Sequence, residues 1–320
     1  MRLNAKSFWQ LLKETGSEWM TDKAPRLGAA LAYYTVFSLA PLLVIIIGIA
    51  GLVLGHDAAG QHLIDQVQNL VGEQGGKAIR TMVENASKPQ TGVVGSVLGI
   101  IMLLFGAAGL FGQLQDALNT VWEVEPKPGQ GVWGFIRERF LSLTMVLGVA
   151  FLLLVSLVIS AGLAAFVQLF GDVTAGVVGH IINEVVSLVV IALLFSIIFR
   201  FLPDAKIAWG DVWLGAALTA VLFEVGKFLL GFYLGHSGIA SGYGAAGSLA
   251  VLLVWLYYSG QIFLFGAEFT KVYANRFGSH IVPAENAVPL TSAARAEQGM
   301  PRDGQAKPQS GSADKPVPAV

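Results

Sequence analysis

Apolar residues run along this chain in six long blocks, at roughly 29–54, 92–121, 140–170, 178–202, 209–235 and 245–274. A helix needs about 20 mostly apolar residues to cross a bilayer, and each block reaches that length. Several exceed it, which predicts tilt or extension into the headgroup region. Gly-, Pro- and Asp-bearing stretches separate them: EPKPGQG after the second, FGD after the third, LPDAKIAWGD after the fourth and GHSGIASGYG after the fifth. The pattern predicts an all-α polytopic membrane protein with six transmembrane helices.

The first connection, 56–91, has a different rhythm. HLIDQVQNLVG and GKAIRTMVENA place Leu63, Val67, Leu70 and then Ile79, Met82, Val83 at helical spacing, with Gly75-Gly76 between them. This predicts an amphipathic helical hairpin lying on the outer membrane–water boundary. SFWQLLKETGSEWM near the N-terminus, with Phe8, Leu11, Leu12 and Trp19, reads as its inner-surface counterpart. From about 281 Pro, Ala, Gly, Ser and charge dominate without periodicity. Three regions result: a cytoplasmic amphipathic N-terminal segment (1–26), a transmembrane domain (27–280) and a disordered cytoplasmic tail (281–320).

Composition agrees. Hydrophobic residues make up 54% of the 320 and charged residues 13%, against about a quarter charged in ordinary soluble domains. The net charge of −1 gives no basic field for nucleic acid. The absence of cysteine excludes disulfides, thiolate metal sites and Cys nucleophiles. No cleavable signal peptide is evident, because the first apolar run is too long for one.

Lys and Arg positions orient the chain. Arg2, Lys6, Lys13, Lys23, Arg26, Lys127, Arg137, Arg139, Arg200, Lys206 and the basic residues from Lys271 onward fall on one side. The other side holds only Lys77, Arg80 and Lys88. Both termini are therefore expected in the cytoplasm.

Candidate chemistry lies in the polar residues inside these apolar blocks. LFEVGKFLL carries Glu224 and Lys227 in the fifth block; each would cost roughly 2.5–3.5 kcal/mol against lipid. Their i, i+3 spacing puts them on one helix face, and Trp213, Ala217, Ala220 and Gly231 continue a stripe that is expected to face the bundle. Asn183 and Glu184 in the fourth block fall at similar depth, so Lys227 is expected to meet Glu184 as well as Glu224. An ammonium between two carboxylates leaves a surplus negative charge suited to a proton or a cationic group. The bland alternative is an ion pair that fixes packing. In the second block Gly92, Gly95, Gly99, Met102, Gly106, Gly109, Gln113, Asp116 and Thr120 recur every three or four residues, a seam for close helix approach. Asp116, Asn119 and Trp122 close this block level with Glu268 and Lys271. Tyr258 and Gln261 share a face with Glu268 and are expected to hydrogen-bond within the bundle. Pro41 predicts a kink or opening near Ser38. His56, His62, His180 and His236 map to the outer side but lack tight ligand spacing, so no metal site is expected.

LGAALAYYTVFSLAPLLVI (27–45), QDALNTVWEVEP (115–126), FLPDAKIAWGDVWLGAALTAVLFEVGKFLLGFYL (201–234) and YGAAGSLAVLLVWLYYSGQIFLFGAEFTKVYA (243–274) together resemble the YihY/BrkB family of bacterial inner-membrane proteins. The resemblance covers roughly 25–280. It implies six spans, a link to the cell envelope and, in some members, serum resistance. Members have also been called ribonuclease BN; no water-facing pair of metal-binding carboxylates and no basic groove supports a nuclease here. No functional residue is carried over from the family.

The expected function is a secondary transporter or lipid/amphiphile translocase, multi-pass in the bacterial inner membrane, with no cofactor and no catalytic residue. It is not expected to be an enzyme. Its pathway would use Glu184, Glu224 and Lys227 at the outer half and Asp116, Asn119 and Glu268 at the inner half, with Tyr258 and Gln261 between. Expected partners are membrane lipids and a solute or lipid-linked substrate, with oligomerisation open and no nucleic acid. The competing reading is a non-transporting envelope assembly or scaffold protein; a membrane-associated ribonuclease is the remote alternative.

Overall fold

In the computed structural model, residues 4–87, 93–128, 173–236 and 246–300 are described. Eight helices are defined among them: α1 (Ala5–Thr21), α2 (Ala24–Leu54), α3 (His56–Ala86), α4 (Val93–Val121), α5 (Val173–Phe201), α6 (Trp209–His236), α7 (Gly247–Phe277) and α8 (Ser292–Glu297). Short strands complete them: β1 (Val124–Pro126), β2 (Ala205–Lys206), β3 (Val282–Pro283) and β4 (Ala287–Pro289). Four helical stretches among the described residues are long and apolar enough to cross a membrane: Ala24–Ile49, Glu184–Phe201, Trp209–Leu234 and Gly247–Phe277. Helix α4 covers the second predicted block. The third, 140–170, lies outside the described residues.

Glycine-mediated approach brings the long helices together. Helix α6 packs against α7 and α5, and α2 against α4 and α7. A Cβ on Gly215 would collide with Thr270 of α7, and one on Gly266 would collide with Thr219 of α6. The two contacts are reciprocal. In GAALT and GAEFT alike, the threonine hydroxyl donates to the carbonyl of the glycine four residues earlier, at 2.7 Å (Thr219 to Gly215) and 2.8 Å (Thr270 to Gly266). The hydroxyl is thus satisfied within its own helix, and its side chain fills the space where the facing glycine has no Cβ. A third rung, Gly226 against Tyr258 and Ile262, keeps the antiparallel register. Helices α2 and α4 meet the same way: Gly106 lies against Pro41 and Gly109 against Ser38. The glycine seam expected in α4 is a packing seam at these two turns, and Gly92 and Gly95 lie outside the described side chains. Helix α2 continues through Pro41 to Leu54. An aromatic chain, Trp122–Phe199–Phe263–Phe195–Phe223–Trp255, with successive ring centroids 5.3–6.1 Å apart, joins the turn after α4 to α5, α6 and α7.

Three expectations change. The stripe predicted to face the bundle on α6 does not: Trp213, Ala217 and Gly231 are exposed, and only Ala220 of that set is buried. The buried face is Val212, Ala216, Thr219, Ala220, Gly226 and Leu230, roughly a quarter-turn away. The break in α3 falls at Gly72, whose φ of 79° a glycine adopts without strain, rather than at Gly75-Gly76. The helix kinks there, and Gly76 lies against Gln68. Of the apolar residues predicted there, Leu63, Ile79 and Val83 are buried in the common core and Val67 and Met82 pack against it, so the bundle covers them. Finally, 281–300 is folded rather than a disordered tail. Strand β3 pairs with β2 (Ala205 opposite Pro283), and β4 pairs with β1 (Val124 opposite Pro289). Residues 301–320 lie outside the described residues.

The Thr–Gly interlock predicts that Gly266→Ala lowers stability by about 1–3 kcal/mol, as overpacking does. Gly112→Ala, at a position with nothing within 4 Å, serves as the control. Thermal unfolding in detergent should separate the two variants.

Candidate functional site

Two polar hubs occupy one end of the bundle, where α1, the turn after α4, the α5–α6 connection and the segment after α7 converge. The first is built on Asp204. FLPDAK ends α5, and its aspartate is buried where it accepts hydrogen bonds from Gln115 Nε2 (3.0 Å), Asn119 Nδ2 (2.9 Å) and Asn286 Nδ2 (2.5 Å). Asn119 Oδ1 in turn accepts from the Asp204 backbone N–H at 2.8 Å. Gln115 and Asn119 are four residues apart on one face of α4, so a single carboxylate is gripped by two amides of one helix. Asn286 brings the chain after α7 to the same point.

The second hub is built on Lys271. Its ammonium lies 2.9 Å from Glu123, 3.1 Å from Asp22, 3.3 Å from Glu18 and 3.8 Å from Glu268. Arg295, from α8, adds a second cation, 2.6 Å from Asp22 and 3.1 Å from Glu123. Asp22, Glu268, Lys271 and Arg295 are all buried. The hub is assembled from α1, the α4–β1 turn, α7 and α8, so it is also what seats the first helix and the chain's last described turn on the bundle. Two of its backbone positions are costly: Lys23, beside Asp22, and Glu123 take the left-handed conformation, with φ of 52° and 56°. A residue with a Cβ pays about 1–2 kcal/mol there, and surrounding bonds hold it in place. The Glu123 carbonyl accepts from Leu290 N–H at 2.8 Å while its side chain takes both cations. Oxygens of Glu18, Asp22 and Glu123 fall within 4.8 Å of one another. The space among them is filled by the Lys271 ammonium.

The residues expected on a pathway are distributed unevenly. Glu268 joins the Lys271 hub and Asn119 the Asp204 hub. Asp116 is exposed, joins neither, and contributes only its carbonyl, which accepts the Thr120 hydroxyl at 3.0 Å. Glu224 and Lys227 meet at 2.5 Å, with side chains 22% and 29% exposed, on the flank of α6 between its buried and outward faces. One oxygen of Glu224, Oε1, has no hydrogen-bond partner. Glu184 is exposed and forms no ion pair with Lys227. Tyr258 packs on Gly226 of α6, whereas Gln261 presses on Gly28 of α2. The hydrogen bond expected of Gln261 is absent: both its amide oxygen and its nitrogen are buried without a partner. The side chains of Asn183, His56, His62, His180 and His236 lie outside the described residues.

Residue-type reasoning missed Glu18, Asp22, Glu123, Asp204, Gln115, Asn286 and Arg295. For α1 a signal existed. Leu11, Thr15, Glu18 and Asp22 follow helical spacing along one side, so the buried stripe ends in two acids. Asp204 stood in a stretch read only as punctuation between spans. Arg295 carried no local signal, since its partners are more than 170 residues away in sequence.

These features define a helical membrane protein closed at one end by buried polar hubs. The family model described as virulence factor BrkB matches residues 15–291, and the chain belongs to this family, the YihY/BrkB family. The match takes in every residue of the two hubs except Arg295. The chain is 28% identical over 256 residues to a UPF0761 membrane protein of Tolumonas auensis, covering 78% of this chain and 80% of that one. Against a UPF0761 membrane protein of Pseudomonas aeruginosa it is 26% identical over 256 residues, 78% of this chain and 59% of the relative. Against one of Stenotrophomonas maltophilia it is 26% identical over 280 residues, 85% and 62%. The chain thus spans about three fifths of the length of the latter two. No solved structure matches.

Breaking one member of a buried charge group strands the others, at about 3–5 kcal/mol. Lys271→Met is therefore expected to destabilise the protein by that order and to loosen α1, read as faster proteolysis within residues 5–21. Asp204→Ala strands three amide donors and should cost about 1.5–3 kcal/mol or more. Asp204→Asn should recover part of that loss in the same melting assay.

Proposed function

We propose that the chain is a secondary transporter or lipid/amphiphile translocase of the bacterial inner membrane. It crosses six times with both termini cytoplasmic, and it carries out no catalytic step. The hubs then lie at the cytoplasmic end, and α3 forms an external lid over the bundle. The orientation is supported by the side on which Lys and Arg gather and by the joining of α1, the α4–β1 turn, the α5–α6 connection and residues 281–300 at one end.

The observation that carries the reading is the Glu224–Lys227 pair. A carboxylate and an ammonium sit on the flank of an otherwise apolar helix, half-buried, with one carboxylate oxygen unpaired. Ionisable groups at membrane depth are costly and tend to mark pathways for ions or polar substrates. The unpaired oxygen leaves the carboxylate free to take a proton or a cationic group. Glu224 and Lys227 would form the outer half-site, reached through Tyr258 and Gln261 from the inner half-site at Glu268. The substrate would be an amphiphile or lipid-linked solute, in keeping with the apolar outward face of α6 beside the pair, where Val221, Val225, Phe228 and Phe232 are exposed. The second reading, a scaffold for envelope assembly, is favoured by the Asp204 hub, whose groups are satisfied by internal partners.

Glu224→Gln combined with Lys227→Met keeps volume while removing both charges. The double variant is expected to insert and fold normally but to lose nearly all flux of labelled lipid or solute in proteoliposomes. Full complementation of a deletion strain by this variant would leave the scaffold reading in its place. A reporter fused at residue 60 should be external; a cytoplasmic signal would overturn the topology.

A further inference from the structure

Among the described residues, the charges around Lys271 do not balance. Four carboxylates, of Glu18, Asp22, Glu123 and Glu268, face two cations, Lys271 and Arg295. The cations are unequally shared. Asp22 takes the Arg295 guanidinium on one oxygen and the ammonium on the other. Glu123 takes both cations on Oε1. Glu268 is left with the ammonium at 3.8 Å, beyond hydrogen-bond length. It is completely buried, and neither oxygen accepts a hydrogen bond. Its carboxyl and that of Asp22 lie 3.8 Å and 3.1 Å from the same ammonium, so the two acids are held side by side. Two ionised carboxylates at that separation, shut away from water, repel strongly; a single O–H between them converts the repulsion into a charge-assisted hydrogen bond.

We propose that Glu268 binds a proton and donates it to Asp22, and that this carboxylic acid–carboxylate pair is a pH-sensitive latch seating α1 on the bundle. The proton comes from water at this end of the molecule and returns to it when the latch opens. Every charged group that faces Glu268 among the described residues has a part in this. Glu18 comes from α1 and Asp22 from the turn that follows it, Glu123 from the turn after α4, Arg295 from α8 and Lys271 from its own helix. Ionising Glu268 removes the shared hydrogen bond and sets a second negative charge against Asp22. Lys271 is already divided among four carboxylates and cannot offset it. The element that yields is α1, which supplies Glu18 and leads directly into Asp22; its other contacts with α7 are peripheral, Leu11 against Phe269 and Val272, Phe8 on Phe269, and Arg276 with Glu14 and Gln10. Glu224 differs in having its own ammonium at 2.5 Å. The latch does not depend on the chain transporting anything, and its test needs no flux measurement.

Infrared spectra of the intact protein in bilayers at neutral pH should contain the carbonyl stretch of a protonated carboxylic acid that is missing from Glu268→Gln and retained in Glu224→Gln. A spectrum unchanged by Glu268→Gln overturns the proton assignment. If Glu268→Gln does not fold, Asp22→Asn replaces it: the acid loses the carboxylate that accepts its proton, so the band should shift or vanish, and an unmoved band overturns the assignment. Hydrogen–deuterium exchange across residues 5–21, corrected for intrinsic rates, reads the latch. Protection of α1 in the wild type should fall as pH rises. In Glu268→Gln it should stay level, because the amide cannot ionise and still donates to Asp22. Protection that is level with pH in the wild type overturns the latch.

Discussion

Placing one ammonium among four carboxylates is the constraint on which the rest of this architecture depends. Lys271 lies at the end of a long apolar helix, yet its partners come from both extremes of the chain: Glu18 and Asp22 near the start, Glu123 after α4, and Arg295, which shares two of those acids, near the end. A lone buried charge of either sign is costly. The acids therefore cannot be buried without the lysine, nor the lysine without the acids. Assembly of this end of the molecule is all-or-none in character, and α1, two strained backbone turns and the last described segment are held by the same group of charges.

The neighbouring Asp204 hub uses a different chemistry for a similar end. Three side-chain amides, from Gln115, Asn119 and Asn286, surround one carboxylate. No cation is needed, because the N–H dipoles supply the stabilisation. Asn286 connects this hub to the paired strands β1 and β4, and Glu123 connects those strands to the charged hub. The two hubs and two small sheets thus form a continuous polar plate across the end of an apolar bundle. Polar groups this far from bulk solvent specify a single arrangement, since a shifted alternative would leave several of them unsatisfied.

The long helices were legible in the sequence, and four stretches among the described residues have the length and apolarity that crossing a bilayer requires. Helices α2, α4, α5, α6 and α7 fall where the apolar blocks put them, within a few residues. Faces were less legible. On α6 small residues were expected to mark the interface, but Ala217 and Gly231 look outward while Val212 and Phe223 look in; size alone does not distinguish a helix–helix contact from a lipid-facing surface. The Glu224–Lys227 pair was found because a charge inside an apolar run stands out. The Lys271 hub was not, because its acids lie in polar segments where a carboxylate is unremarkable. The segment 281–300 was hidden for a related reason. Its order comes from two- and three-residue strand pairings with distant connections, which leave no periodic trace, and its Pro and Ala content mimics that of a linker.

The reciprocal seating of Thr219 on Gly266 and Thr270 on Gly215 bears on how such a bundle can move. Each side chain sits in a notch of the opposite backbone, so axial sliding would force both out at once, and rotation of either helix would replace a glycine with a bulkier neighbour. Helices α6 and α7 are therefore expected to behave as one rigid lever. Any hinge must lie where contacts are made by larger and more forgiving groups, and the lever carries the Glu224–Lys227 pair on one arm and the Lys271 cluster on the other.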